Sequence, residues 1–170
     1  MDYTNANVLY LMINIYIVCV GKIKDNFYKD AIKEYQKRLS RFCKFEIIEV
    51  NEELIDANMK NLESVKQKEG ERILQKAKGY KIALDIFGQN LSSEQHANLL
   101  DNLATKGEST ITYIIGGSYG LSQEVLSKVD YKLSFGKQTF PHQLMRVVLT
   151  EQIYRAFTII EGSGYHKWWI

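Results

Sequence analysis

Lys132 to Phe157 reads K-L-S-F-G-K-Q-T-F-P-H-Q-L-M-R-V-V-L-T-E-Q-I-Y-R-A-F, and it holds the only proline of the 170 residues. Tyr131–Phe135 predicts a strand, the residues up to Phe140 a glycine-bearing loop, and Pro141–Ile160 a long amphipathic helix. Proline at the first helical position lacks only an N–H that is unpaired there anyway, and its fixed φ suits the first turn. An irregular loop therefore runs straight into a helix N-terminus that carries His142 and Arg146 one turn apart. Together with I-I-G-G-S-Y-G-L-S (Ile114–Ser122) this predicts a ligand site built from backbone rather than from charge.

Working outward, strand and helix alternate. Ile13–Val20 is a β-branched run ended by Gly21. Asn26–Phe42 has Phe27, Ala31, Tyr35 and Leu39 at a helical stride. Phe45–Val50 reads as a strand, and Asn58–Lys78 as a charged helix weakened by Gly70. Lys81–Phe87 is a strand stopped by Gly88, followed by a helix to about Ala104 capped by Ser92 or Ser93. Thr110–Ile115 is a buried strand, and Leu121–Lys128 a short helix. This alternation predicts an α/β fold with a mostly parallel sheet flanked by helices.

The totals bound the function. A chain of this length buries a core as one domain, and a net charge of +2 argues against a tail-driven polyanion binder. Cys19 and Cys43 read as reduced core residues of a cytosolic protein. His96, His142 and His166 are scattered without ligand spacing, so no metal is expected. Val8–Val20 is too short and too interrupted to span a bilayer, and it lacks a signal-peptide pattern. Residues 1–11 look like an extension, with the domain proper at 12–170.

Each motif has a bland reading beside the functional one. Gly116-Gly117-Ser118-Tyr119-Gly120 follows a buried strand, where ligands bind in open α/β sheets; taken alone, it is equally a tight turn. Its spacing is neither G-x-G-x-x-G nor a P-loop. Phe135–Phe140 alone is an ordinary loop with two core aromatics, but two such loops, each feeding a helix, point to a shared pocket. A cation in the first turn of a helix opposes the dipole, so Arg146 asks for an anionic partner such as a phosphate; the bland reading is a solvated polar face with a salt bridge. Glu151 and Arg155 at i,i+4 read as a structural pair. Tyr165-His166-Lys167 suits base stacking and phosphate contact, or is a frayed tail.

K-E-G-E-R-I-L (Lys68–Leu74), A-L-D-I-x-G (Ala83–Gly88), I-I-G-G-x-x-G-L-S and K-L-S-F…T-F-P-H-Q-L-M-R-V-x-L-x-E-Q-I-Y-R-A-F, with a terminal Y-H-K, resemble the bacterial large-subunit (23S) ribosomal RNA pseudouridine N3-methyltransferases of the SPOUT class. The resemblance runs from about Met12 to Lys167. It implies a deep C-terminal trefoil knot whose loops hold S-adenosylmethionine, with contacts at Leu84, Gly116, Phe135, Gly136, Lys137, Gln138, Thr139 and Phe140. It also implies a homodimer that methylates N3 of a pseudouridine in the intersubunit-bridge stem-loop; the low net charge points to the assembled ribosome in the cytoplasm, rather than a lone RNA hairpin, as the substrate. The imide must lose a proton, for which His142 and His166 compete as base. Arg146 and Arg155 are placed as anion or phosphate partners, and Tyr165 with His166 as substrate-site residues drawn from the tail. Gly136 stands where relatives usually have serine, Tyr119 where glutamate or asparagine is common, and Trp168-Trp169-Ile170 extends past the usual end. The rival readings are a non-catalytic ribosome-associated RNA binder with the same knot, separated by loss of cofactor binding, and a flavodoxin-like nucleotide module, disfavoured by the missing phosphate fingerprints.

Overall fold

A computed structural model describes residues 13–54 and 62–166. The expected extension through residue 11 and the terminal Trp168-Trp169-Ile170 lie outside the described residues, as does the start of the helix expected from Asn58.

Among the described residues five strands form one parallel sheet: β1 (Asn14–Val20), β2 (Lys44–Val50), β3 (Tyr80–Asn90), β4 (Thr110–Ile115) and β5 (Tyr131–Ser134), in the order β2-β1-β4-β3-β5. Between them run α1 (Asn26–Leu39), α2 (Leu62–Lys76), α3 (Ser93–Thr105), α4 (Gln123–Ser127) and α5 (His142–Ile160). The expected α/β class is therefore the observed one.

The alternation within β1 decides which helices cover which face. Ile15, Ile17 and Cys19 point into a core with Leu39 of α1, Leu100 of α3 and Leu149, Ile153 and Phe157 of α5. Val18 and Val20 point the other way, onto Val50, Ile73 of α2 and Val125 of α4. Successive side chains of a strand face opposite sides, so near-continuous apolar strands are what a sheet covered on both faces requires. The α2–α4 contact is close because residue 70 is glycine: a Cβ there would fall 2.6 Å from Ser122 Oγ and 2.9 Å from Val125 Cγ2. The glycine that weakens α2 as an isolated helix is what lets it dock.

Two boundaries differ from expectation in ways that shape the site. β3 does not stop at Gly88 but continues to Asn90, with its register against β5 moving from Leu84↔Leu133 to Gln89↔Leu133. A Cβ at residue 88 would sit 2.6 Å from the Lys132 carbonyl, so this glycine serves close approach rather than termination. The residues between form a bulge that lifts Ile86 and Phe87 into solvent, with the Phe87 N–H donating to Asp85 Oδ1 at 3.1 Å. Pro141 is the cap of α5 rather than its first residue: its ψ of 133° is extended, while its carbonyl accepts the Met145 N–H at 3.0 Å. The cap of α3 is Ser92, in a full capping box with Gln95.

Candidate active site

Three chain segments meet at the carboxyl ends of β4 and β5 and at the bulge of β3. Between them lies a cavity of about 540 Å³, within the usual range for small-molecule sites. The bulge supplies Leu84, Asp85 and Ile86. The loop after β4 supplies Gly116, Gly117, Ser118, Gly120 and Leu121. The loop after β5 supplies Phe135, Gly136, Gln138, Thr139, Phe140 and Pro141, and α5 closes the end with His142 and Met145. Of the residues expected to hold the cofactor, all but Lys137 lie on this wall; Lys137 is exposed and off it. Asp85, Ile86, Gly117, Ser118 and Met145 also line it and were not singled out as contacts; the A-L-D-I-x-G motif and the double glycine were the available signals.

The loop after β4 is tightly constrained. A Cβ at Gly116 would meet the Gly120 carbonyl carbon at 2.8 Å, and one at Gly117 would meet Glu69 Oε2 at 2.8 Å and Val20 Cγ1 at 3.1 Å. Any larger residue displaces the wall, so the double glycine is fixed by packing behind the cavity as well as by space within it. The side chain of Ser122 caps α4, the Gly120 N–H donates to the Gly117 carbonyl at 3.0 Å, and the turn is thereby held from both sides.

His142 stands at the cavity's edge, half-buried, with its ring beside Gly21. Burial lowers its pKa below the usual imidazole value, the nearby Arg146 guanidinium and Lys24 lower it further, and Glu52 opposes them. Near neutral pH this imidazole is neutral and able to accept a proton.

Arg146 takes a different place from the one expected. Its side chain is fully buried, with guanidinium N–H groups donating to the carbonyls of Val20 at 2.6 Å and Gly21 at 3.0 Å and to Glu49 Oε1 at 3.1 Å. The anionic partner exists, but it is the Glu49 carboxylate at the end of β2. With no surface of its own, this guanidinium clamps α5 to the ends of β1 and β2 and offers nothing to a phosphate.

Arg155, Tyr165 and His166 form a second cluster away from the cavity wall. Arg155 donates to Glu151 Oε1 from Nη2 at 2.6 Å and from Nε at 3.0 Å, and its guanidinium lies 4.9 Å from the Tyr165 ring centre. The Tyr165 hydroxyl donates to Glu151 Oε1 at 3.1 Å, and His166 Nε2 pairs with Glu94 Oε1 at 2.7 Å. The pairing of Glu151 with Arg155 is the structural one expected, and it also anchors the tail. Within one protomer the chain brings His142 to the cavity and these three residues to each other, not all four together. A smaller polar cavity of about 290 Å³ lies nearby, lined by Asn90, Ser92, His96, Ser134 and Gln152 and sharing Leu133 and Phe135 with the first.

Among the described residues no group of histidines, cysteines and carboxylates could hold a metal ion, and no helix is long and apolar enough to cross a membrane. His96 is buried with Nε2 2.7 Å from the Tyr113 hydroxyl, and both cysteines are buried thiols pushed up to about 12 by desolvation.

A family model described as a predicted SPOUT methyltransferase matches residues 13–166. The chain belongs to the SPOUT methyltransferase family. It is 54% identical over 158 residues to the ribosomal RNA large subunit methyltransferase H of Clostridium novyi (strain NT), covering 91% of this chain and 99% of that protein. The proteins of the same name from Lactiplantibacillus plantarum (strain ATCC BAA-793 / NCIMB 8826 / WCFS1) and Clostridioides difficile (strain 630) are each 53% identical over the same share of both chains. A solved structure of a probable methylase family protein from Haemophilus influenzae Rd KW20 shares the fold, with a TM-score of 0.54 over 94% of this chain and 72% of that one at 12% identity. The protein is thus a SPOUT methyltransferase, a class that uses S-adenosylmethionine. The cavity fits that molecule in kind: a mostly apolar wall for the adenine, glycine backbone in close approach, and a buried carboxylate oxygen of Glu69 left without a hydrogen-bond partner behind Gly117.

Proposed function

We propose that this protein methylates N3 of a pseudouridine in the intersubunit-bridge stem-loop of 23S ribosomal RNA, acting on the assembled ribosome in the cytoplasm as a homodimer with a trefoil-knotted C-terminal half. The reading rests on one observation above the others: His142, held neutral, borders a cavity walled by the three segments to which the resemblance assigns the cofactor. The relatives' name supplies the substrate class.

S-adenosylmethionine, when bound, supplies a methyl group on a sulfonium whose sulfur leaves as a neutral thioether. The chain's own residues do the rest. Phe135 and Phe140 flank the cavity and cover an adenine, and the glycines of the loop after β4 admit backbone close to the ligand. His142 takes the N3–H proton of the imide on a ring nitrogen, so that the N3 electron pair forms the new N–C bond as the C–S bond breaks. Glu52 opposes the field of Arg146 at that ring and favours the imidazolium that results. Positioning of the two reactants supplies much of the acceleration, as in-line transfer requires. In the proposed dimer, Tyr165, His166 and Arg155 serve the partner's substrate site, which accounts for their distance from His142 in one protomer.

The test is methyl transfer from labelled S-adenosylmethionine to ribosomes carrying pseudouridine at that position, beside ribosomes carrying uridine. Transfer to the pseudouridylated particle alone is expected. Equal transfer to both, or transfer to naked RNA fragments in preference to ribosomes, contradicts the proposal.

A further inference from the structure

Glu69 lies on α2, outside every element that lines the cavity, yet its side chain is only 3% exposed. One carboxylate oxygen, Oε1, accepts the Glu53 N–H at 3.0 Å. The other, Oε2, is among the few buried polar side-chain atoms without a hydrogen-bond partner in the described residues. It rests against Gly117, where a Cβ would come within 2.8 Å of it, and Gly117 is cavity wall. The nearest cations are already engaged: Lys68 Nζ donates to Glu53 Oε1 at 2.8 Å, and Arg72 is paired with Glu53 Oε2 and with the Asn51 carbonyl. Glu52 and Glu53 add like charge nearby, and burial raises the pKa of the Glu69 carboxyl above the ordinary value. The Arg72 guanidinium, although paired with Glu53, offsets part of this, but a buried carboxylate with one open oxygen and no cation of its own is costly. Such a group either takes up a proton or gains from a positive charge brought close to it.

We propose that Glu69 is a specificity-determining residue that makes the cavity prefer a cationic cofactor over its neutral-sulfur product, acting through the Gly117 wall. The inference rests on the cofactor reading above. S-adenosylmethionine and S-adenosylhomocysteine share the adenosine and the amino-acid group and differ in the methyl and in the positive charge on sulfur. A carboxylate one layer behind the wall, in surroundings of low dielectric, interacts with the cationic sulfur and not with the neutral one, and therefore acts on the difference between them. Methyl transfer removes that attraction at the moment the product forms and so favours its release.

The experiment measures binding of both ligands by calorimetry to the wild-type protein, to Glu69→Gln and to Glu69→Met. The glutamine variant keeps the acceptor for the Glu53 N–H, and the methionine variant removes all polarity at similar volume, so either one carries the test if the other fails to fold. The expected result is that the ratio of affinities, cationic over neutral, falls by about tenfold in the variants, with affinity for S-adenosylhomocysteine nearly unchanged. An unchanged ratio, including equal weakening of both ligands, overturns the proposal and leaves Glu69 a packing residue. Wild-type protein that binds neither ligand overturns the cofactor reading itself, which is a different result.

Discussion

Replacing Arg146 with methionine separates a clamp from a phosphate contact. The guanidinium donates to two main-chain carbonyls, those of Val20 and Gly21, and to Glu49. Each buried carbonyl left unpaired costs about 1–3 kcal/mol. Glu49 is 32% exposed and recovers water, so its share is small. Removing a buried charge returns part of the loss, which leaves a net destabilisation of about 3 kcal/mol. For a chain of this size that lowers the melting temperature by roughly 6–12 °C. Urea unfolding at fixed protein concentration gives the quantity directly, with the midpoint shifted and the slope unchanged. Salt-dependent binding to ribosomes, measured in parallel, keeps its slope if Arg146 never meets phosphate. A variant with wild-type stability and a shallower salt slope would falsify the clamp.

Three further outcomes follow from the geometry. His142→Ala lowers kcat for ribosome methylation by about 10²–10⁴-fold, a far larger loss than in cofactor affinity; because its pKa is depressed, the acid limb of the wild-type rate profile lies below the ordinary imidazole value near 6.5, and a limb above it contradicts the assignment. His96, buried against Tyr113, has its pKa lowered to about 4 by desolvation. The unfolded chain then binds more protons between about pH 6.5 and pH 4, so stability is lost as pH falls through that window, by about 3 kcal/mol in all; chemical denaturation of His96→Gln shows a flatter acid branch. Gly70→Ala forces a Cβ into Ser122 Oγ and Val125 and costs about 1–3 kcal/mol in denaturant melts despite alanine's better helix propensity.

How far the sequence carried depended on whether a feature is local. Thr110–Ile115 is a β-branched and aromatic run and its strand boundaries match; Ser92 and Gln95 announce the start of α3 by their own spacing. The loops that wall the cavity were legible because glycines and aromatics sit just beyond strands, a local pattern with a topological meaning. Gly88 and Pro141 were misplaced since each has two physical uses. Gly88 breaks isolated strands but here admits the Lys132 backbone, and Pro141 fits a first turn but here caps it. The partner of Arg146 lies 97 residues away, and His166 meets Glu94 across 72; no periodicity encodes such pairs. Glu69 lies within the K-E-G-E-R-I-L motif, but nothing in the motif set it apart, because a buried glutamate on a charged helix looks like any other charged position until the opposing wall is known.

The most direct test of the account is backbone amide hydrogen exchange with and without saturating S-adenosylmethionine. Protection confined to the β3 bulge around Leu84, to Gly116–Ser122 and to Phe135–His142 is the predicted result. Protection centred instead on Asn90–His96 and Gln152, around the smaller cavity, or no protection despite methyl transfer, would contradict it.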